Sequence, residues 1–465
     1  MSVVTLHNPA TGTVLRELPA DDAASVAAKV AAARAGQPRW AALPFAERRS
    51  ILQRFRDLLV ERRDHLALTL TAETGKPIRQ ARGEISATPA RVDFFLDHVE
   101  ALLAPRPMHR EPAGALPGTG ALEEVVTFEP LGVVANVSAW NYPYFVGTNV
   151  FVPALLCGNA VIYKPSEHAS LTGLAIAGLL VEAGVPPGAF GLVVGAGEVG
   201  AALLEHRFDG VYFTGSYATG LKVSAAAARH LARVQLELGG KDPAYVTDDV
   251  DLAAAAAGTA DGAFYNAGQG CCAVERIYVH ADVHDAFVEA FVAKVRGFRV
   301  GDPNDETTYL GPLCREEQLA VLAAQVEDAV SRGARLLCGG RRADRPGWYF
   351  EPTVLADVDH DMAVMREESF GPIIGIQRVR DDAEAIALMN DTPYGLTAAV
   401  YGRDRARAAR ILGGVDTGTA YWNCCDRVSP RLPWTGRGHS GQGSTLSFEG
   451  IQAFLRPRAW HLRAP

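Results

Sequence analysis

Two adjacent cysteines, Cys271 and Cys272, stand in the run Gln269-Gly-Cys271-Cys272-Ala-Val-Glu-Arg276, just after a predicted helix. A cysteine in a glycine-flanked loop is placed to act as an exposed nucleophile, whereas a core cysteine sits inside an apolar run. Glu237 lies 34 residues earlier (271 − 237), where a predicted strand runs into Leu-Gly-Gly-Lys241. A glutamate emerging from a sheet into a glycine turn can serve as a general base if poorly solvated. The plainer alternative is a solvent-facing loop acid. Trp140-Asn141-Tyr142-Pro143 follows another predicted strand. An asparagine there can donate its side-chain N–H to a developing oxyanion, or it can cap a turn before the proline.

Three further motifs point to a phosphorylated or ribose-bearing ligand. Lys164-Pro-Ser166-Glu167 ends a predicted strand, so that a lysine and a carboxylate can both reach ribose hydroxyls. The alternative is a surface pair that caps the next helix. Gly195-Ala-Gly197-Glu-Val-Gly200 matches the dinucleotide fingerprint between a strand and a helix. The acidic residue that should follow about 20 positions on is missing, so a simple tight turn competes with that reading. Phe213-Thr-Gly215-Ser216-Tyr-Ala-Thr219-Gly220 is a second strand–glycine–helix junction, whose free N–H groups can meet a pyrophosphate. It is not a P-loop, because no Lys-Ser or Lys-Thr follows the second glycine.

These motifs need a scaffold, and the hydrophobic pattern supplies one. Short β-branched runs at Val133–Val137, 161–163, 192–194, 211–213 and 234–236 alternate with helical stretches at 145–156, 171–182, 200–205 and 221–233. Such alternation predicts a parallel sheet covered on both faces, with ligands at the carboxyl ends of its strands. A second alternating set follows, with helices at 252–265, 283–295, 316–331, 382–389 and 404–411. Its strands are predicted at 276–279, Ile373–Val379, Thr397–Tyr401 and Thr419–Trp422. Before the first set, Asp21 or Asp22 caps a helix to about Ala33. A second helix starts near Pro44, and a third spans Ile78–Leu103. Residues 105–120 are rich in proline and glycine and read as an exposed connection. Residues 451–460 read as an isolated strand, paired locally or with another subunit.

The chain has 465 residues, enough for two or three domains. Its 45 Lys+Arg against 53 Asp+Glu give a net charge of −8, which disfavours nucleic acid as a partner. No apolar run reaches the roughly 18 residues of a membrane span, and the N-terminus lacks a secretory pattern. A cytoplasmic enzyme is expected. The seven cysteines are odd in number and lack zinc spacing, so neither a disulfide framework nor a metal site is expected.

Taken together and in order, the motifs resemble the NAD(P)-dependent aldehyde dehydrogenase superfamily. The matching pieces are Trp140-Asn141, Lys164-Pro-Ser-Glu167, Phe213-Thr-Gly-Ser216, Glu237-Leu-Gly-Gly, Gly268-Gln-Gly-Cys271, Glu368-Ser-Phe370-Gly-Pro, and Asn423 with Pro433-Trp-Thr-Gly. The resemblance implies an α/β fold with a variant Rossmann cofactor domain (1–113 and 131–237) and an α/β catalytic domain (238–430). It adds a small β oligomerisation arm (114–130 and 445–465), and with it a homodimer or homotetramer. It also implies roles. Cys271 attacks the aldehyde, Asn141 and the Cys271 N–H hold the oxyanion, and hydride passes to the nicotinamide. Glu237 then activates the water that releases the acid from the thioester. Lys164 and Glu167, with Ser166 beside them, hold the adenosine ribose, and Glu368 holds the nicotinamide ribose. Trp140, Gly197, Phe213, Gly215, Ser216, Thr219, Gly220, Leu238 and Phe370 complete the cofactor site. Glu167 favours NAD, with NADP possible.

The family pattern assigns the nucleophile to Cys271, two residues after Gln269 and five before Arg276. It places Tyr142, Phe145, Tyr265, Cys272, Asp426, Val428 and Trp434 along the substrate tunnel. Many members carry Phe-Gly-Gly-x-Lys-x-Ser-Gly where this chain has Trp434-Thr-Gly-Arg-Gly-His-Ser-Gly. The aromatic rings suit an apolar aldehyde, or an ammonium held by cation–π contact with help from Asp426. Arg427 or Arg431 would instead suit a carboxylate. A CoA-acylating enzyme, or a catalytically silent binding protein, are the alternative functions.

Overall fold

The computed structural model describes residues 2–115 and 120–465. Three of its sheets carry the architecture. The first runs in the order Gly441–Gln442, Arg233–Glu237, Gly210–Thr214, Val133–Val137, Ala160–Lys164, Phe190–Leu192. All neighbours are parallel except the edge strand Gly441–Gln442. Alternation along its strands divides the side chains between two cores. Val134, Val161, Tyr163 and Tyr212 face the helices Phe45–Glu61, Ile78–Leu103, Pro143–Leu156 and Ser170–Ala183. Val133, Ala135, Ile162 and Phe213 face Ala23–Ala42, Gly197–Leu204 and Tyr217–Ala228. From Val133–Val137 the chain builds outward on one side, then returns to build the other side from Gly210–Thr214. The crevice at that reversal is where an open α/β sheet takes a ligand. Trp140-Asn141 follows one of these two strands and Gly215-Ser216 the other.

Asp22 caps the first helix, accepting the Ser25 N–H at 2.8 Å while Ser25 Oγ accepts the Asp22 N–H at 3.0 Å. The helix continues past Ala33 to Ala42. Gly36 permits this by lying on the backbone of Gly188, where a Cβ would come within 2.7 Å. The strand expected at 192–194 is Phe190–Leu192. Val194 leaves it to exchange hydrogen bonds with Asp21.

The second sheet has seven strands: Arg335–Cys338, Thr353–Ala356, Ile373–Val379, Val274–His280, Asp242–Val246, Thr397–Tyr401, Thr419–Trp422. Only Arg335–Cys338 runs antiparallel to its neighbour. Asp242–Val246 lies inside this sheet although Asp and Pro are poor strand residues. Asp242 is accommodated by Thr397, whose N–H and Oγ1 both donate to it, at 3.1 and 2.6 Å. The register shifts between Asp242 and Pro243, where proline has no N–H to give.

The third sheet is antiparallel, in the order Leu455–Arg463, Leu122–Pro130, Arg106–Glu111. The terminal strand is therefore not isolated, and residues 451–452 belong to the preceding helix, Ser447–Gln452. Arg106–Glu111 also turns part of the expected connection at 105–120 into strand. Residues 116–119 of that connection, which also fall within the expected arm, lie outside the described residues. Among the described residues, no helix is long and apolar enough to cross a membrane.

Candidate active site

Two cavities meet in the crevice. One, of about 270 Å³, is walled by Trp140, Asn141, Thr214, Gly215, Ser216, Leu238, Glu368 and Phe370. The other, of about 460 Å³, runs between the helix Ile78–Leu103 and the loop 426–434. Two residues line both: Glu237 and Cys271.

The Cys271 loop is held under backbone strain. Asn266 and Ala267 adopt φ of 52° and 55°, in the left-handed region, and Gly268 follows at 70°. Only glycine fits the last position, because a Cβ would strike the Gly371 carbonyl. Buried hydrogen bonds over-determine these conformations, as strain of this kind requires. Gln269 donates to Asn266 O at 3.1 Å and accepts from Cys314 N at 2.9 Å, and Gln80 accepts from Asn266 N at 2.9 Å. Asn141 Nδ2 ties the loop to the first sheet by donating to Gln269 O at 3.1 Å. The Asn141 carbonyl in turn accepts from Lys76 Nζ at 2.6 Å. The Cys271 N–H has no acceptor among the described residues.

The neighbouring cysteine differs. Cys272 is buried and donates from Sγ to Asp426 Oδ1 at 3.0 Å. Its hydrogen bond with Cys271, its burial and Asp426 push its pKa well above that of a free thiol. Cys271 is half-buried and opens to both cavities.

Glu237 ends its strand at the crevice. Burial pushes its carboxyl pKa up to about 7, against hydrogen bonds from Thr445 Oγ1 and Gln235 Nε2. At that value it is poised to take a proton near neutral pH.

The smaller cavity collects Trp140, Gly215, Ser216, Leu238, Glu368 and Phe370. Phe370 meets Trp140 edge-on, with centroids 5.7 Å apart. Glu368 Oε1 accepts the Gly240 N–H at 3.1 Å, and its carboxylate has no other hydrogen-bond partner among the described residues. Burial, then the charge of Glu275, raises its pKa to about 7. Lys164, Ser166, Glu167, Gly197, Phe213, Thr219 and Gly220 do not line this cavity. They lie around the carboxyl ends of neighbouring strands. Lys164 is buried, with Nζ held by Pro165 O at 3.2 Å, and Ser166 Oγ bonds Glu167 at 3.2 Å. Gly197 opens the helix Gly197–Leu204. Ser216 caps the helix Tyr217–Ala228 through Thr219 N at 3.4 Å. The Phe213 ring packs beneath Gly215, and Gly220 abuts Leu238, where a Cβ would come within 2.7 Å. The set fits a dinucleotide: Glu368 leaves acceptor capacity for ribose hydroxyls, and the capped helix presents free N–H groups for a pyrophosphate.

The larger cavity gathers Tyr142, Phe145, Tyr265, Cys272, Asp426, Val428 and Trp434. The Tyr142 and Phe145 rings are parallel, 5.8 Å apart. Asp426 is pushed up to about 6 by burial. Arg427 lies at the mouth, its side chain 66% exposed and 3.8 Å from Asp261. Arg431 is exposed and outside the lining. Sequence reasoning missed Gln80, Glu84 and Arg91, which the helix Ile78–Leu103 adds to this wall, and Arg315 and Gln318, which line the smaller cavity. Glu84 and Arg91 are seven positions apart (91 − 84) on the apolar face of that helix, a signal the hydrophobic pattern does carry.

Comparison with known proteins gives the family and the fold. A family model described as "Aldehyde dehydrogenase family" matches residues 2–460. The succinate-semialdehyde dehydrogenase [NADP(+)] of Deinococcus radiodurans is 37% identical over 452 residues, which cover 97% of this chain and 93% of that one. The betaine aldehyde dehydrogenase of Brucella anthropi is 37% identical over 441 residues, covering 94% and 88%. The crystal structure of lactaldehyde dehydrogenase from Escherichia coli superposes with a TM-score of 0.94 at 32% identity, covering 99% and 96%. The chain thus has the aldehyde dehydrogenase fold and belongs to the aldehyde dehydrogenase family, the NAD(P)-dependent oxidoreductases that act on aldehydes.

Proposed function

We propose that this chain oxidises its aldehyde to a carboxylic acid through a covalent thioester on Cys271, hydrolysed by water that Glu237 activates. The observation that carries this reading is that Glu237 and Cys271 are the residues common to both cavities. An aldehyde entering the larger cavity and a cofactor in the smaller one meet at that point.

The Cys271 thiolate adds to the aldehyde carbon, giving a thiohemiacetal oxyanion. The Cys271 N–H and the second Asn141 Nδ2 proton stabilise that oxygen, the first being committed to Gln269. When bound, NAD(P) supplies the two-electron acceptor that turns the thiohemiacetal into a thioester. Glu237 takes a proton from water at its carboxylate, hydroxide adds to the thioester carbon, and Cys271 leaves as thiolate. Glu368 would hold the nicotinamide ribose with Trp140 and Phe370 beside it, Gly215 and Ser216 at the helix start would meet the pyrophosphate, and Lys164 and Glu167 would hold the adenosine ribose.

The catalytic unit is assembled from a cofactor domain (1–113 and 131–237), a catalytic domain (238–430) and an arm (114–130 and 445–465). The arm builds a homodimer or homotetramer, supported by the strand Leu455–Arg463 at the edge of its sheet and exposed beyond Leu455. The relatives act, by name, on succinate semialdehyde and on betaine aldehyde, so the family alone leaves both an anionic and a cationic substrate open. The test of the mechanism is Cys271→Ala, which abolishes NAD(P)H formation from any accepted aldehyde. Retained turnover would overturn it.

A further inference from the structure

We propose that Arg91 reads a carboxylate at the far end of the substrate, so that the enzyme prefers aldehydes bearing a terminal carboxylate. The inference rests on the aldehyde-oxidising reading above. Gly83, Ala87 and Ala90 on the helix Ile78–Leu103 leave room along the tunnel wall, and Arg91 of the same helix borders that room. Its residue is 5% exposed. The guanidinium lies over the Phe145 ring, 4.0 Å from the centroid. Nη1 donates to Asn149 Oδ1 at 3.2 Å and Nη2 to Val428 O at 3.3 Å. Both acceptors are neutral, and no carboxylate lies within 4.0 Å of the guanidinium among the described residues. Burying a cation without a carboxylate in direct contact is costly, and a guanidinium fork matches a carboxylate in bidentate geometry.

The other charges on the wall are already committed. Glu84 is paired with Lys76 and accepts the Tyr144 N–H at 2.9 Å. Asp426 accepts the Cys272 thiol at 3.0 Å. Glu237 is bound by Thr445 and Gln235, and Arg427 reaches toward Asp261 from the exposed mouth. Among the described residues Arg91 is the buried wall charge with no carboxylate within 4.0 Å, Glu84 and Glu237 acting on it only from farther off. A cationic aldehyde would meet it as a like charge, and a neutral one would leave it desolvated.

The test compares succinic semialdehyde, butanal and 4-aminobutanal, which share a four-carbon chain, by NAD(P)H absorbance, together with calorimetric binding of succinate. The wild type should favour the semialdehyde over butanal in kcat/KM by roughly tenfold to a hundredfold, the worth of a charge-assisted contact. Arg91→Met should collapse that ratio, chiefly through KM, and weaken succinate binding in step. Arg91→Lys should recover part of it. Equal kcat/KM for semialdehyde and butanal, a preference for 4-aminobutanal, or equal loss on all three aldehydes in Arg91→Met would overturn the proposal. If none of the three is oxidised but succinate binds in an Arg91-dependent way, the catalytic reading falls and the anion site stands. If succinate binding is indifferent to Arg91, the anion site falls.

Discussion

The Cys272 thiol donates a hydrogen bond to the Asp426 carboxylate across 3.0 Å, which separates two adjacent cysteines into different roles. A thiol whose S–H is hydrogen-bonded to a buried carboxylate is held as a thiol. Cys271, next to it, faces both cavities. Cys272→Ala is therefore expected to keep most of the NAD(P)H-forming activity while changing KM for the aldehyde. Loss of kcat comparable to that of Cys271→Ala would show that the pair acts as one unit.

Deacylation should follow the ionisation of Glu237. Its carboxyl pKa stands at about 7 because burial disfavours the charged form. A general base works only when ionised, so hydrolysis of a preformed acyl-enzyme should rise with pH and level off above about 7. Glu237→Gln should remove that limb and slow hydrolysis by roughly 10²–10⁴-fold. An acid limb that survives in the glutamine variant would assign the base elsewhere.

Asn141 carries two loads, the Gln269 carbonyl and the proposed oxyanion. Asn141→Ala should lower kcat by about 10²–10³-fold, as for loss of one oxyanion donor. Thermal unfolding of the variant separates the two loads. A large fall in kcat with an unchanged melting temperature supports the catalytic one, and a fall that tracks unfolding contradicts it.

Glu167 should set cofactor preference. A carboxylate at the adenosine ribose bonds a 2′-hydroxyl and repels a 2′-phosphate. NAD is expected to give the higher kcat/KM, and Glu167→Gln to narrow the NAD/NADP ratio by about tenfold, ~1.4 kcal/mol. A wild-type preference for NADP, as the name of the Deinococcus relative indicates for that enzyme, would contradict this.

Much of the site was legible because its residues lie at strand ends. Trp140-Asn141, Lys164, Ser216 and Glu237 each follow or finish a β-branched or aromatic run, and parallel strands bring their carboxyl ends together whatever the loops do. The helix Ile78–Leu103 was legible to the residue, yet Glu84 and Arg91 were not. Charges are read by default as a solvated face; the seven-residue spacing does put both on the apolar face, but only packing against Tyr142–Asn149 and Val428 shows that they border a cavity. The strand Asp242–Val246 was invisible for the opposite reason. Its Asp and Pro argue against a strand, and the Thr397 hydroxyl that satisfies Asp242 lies 155 residues away. The pairing of Leu455–Arg463 with Leu122–Pro130 is likewise long-range, which no local pattern specifies.

A thioester on Cys271 resolved by Glu237 should be visible in intact mass and peptide mapping of Glu237→Gln after mixing with aldehyde and NAD(P). One turnover of NAD(P)H per active site is expected, with an acyl adduct on the peptide containing Cys271 that is absent when Cys271 is replaced. Steady turnover without an adduct, or an acyl group mapped to Cys272, would contradict it.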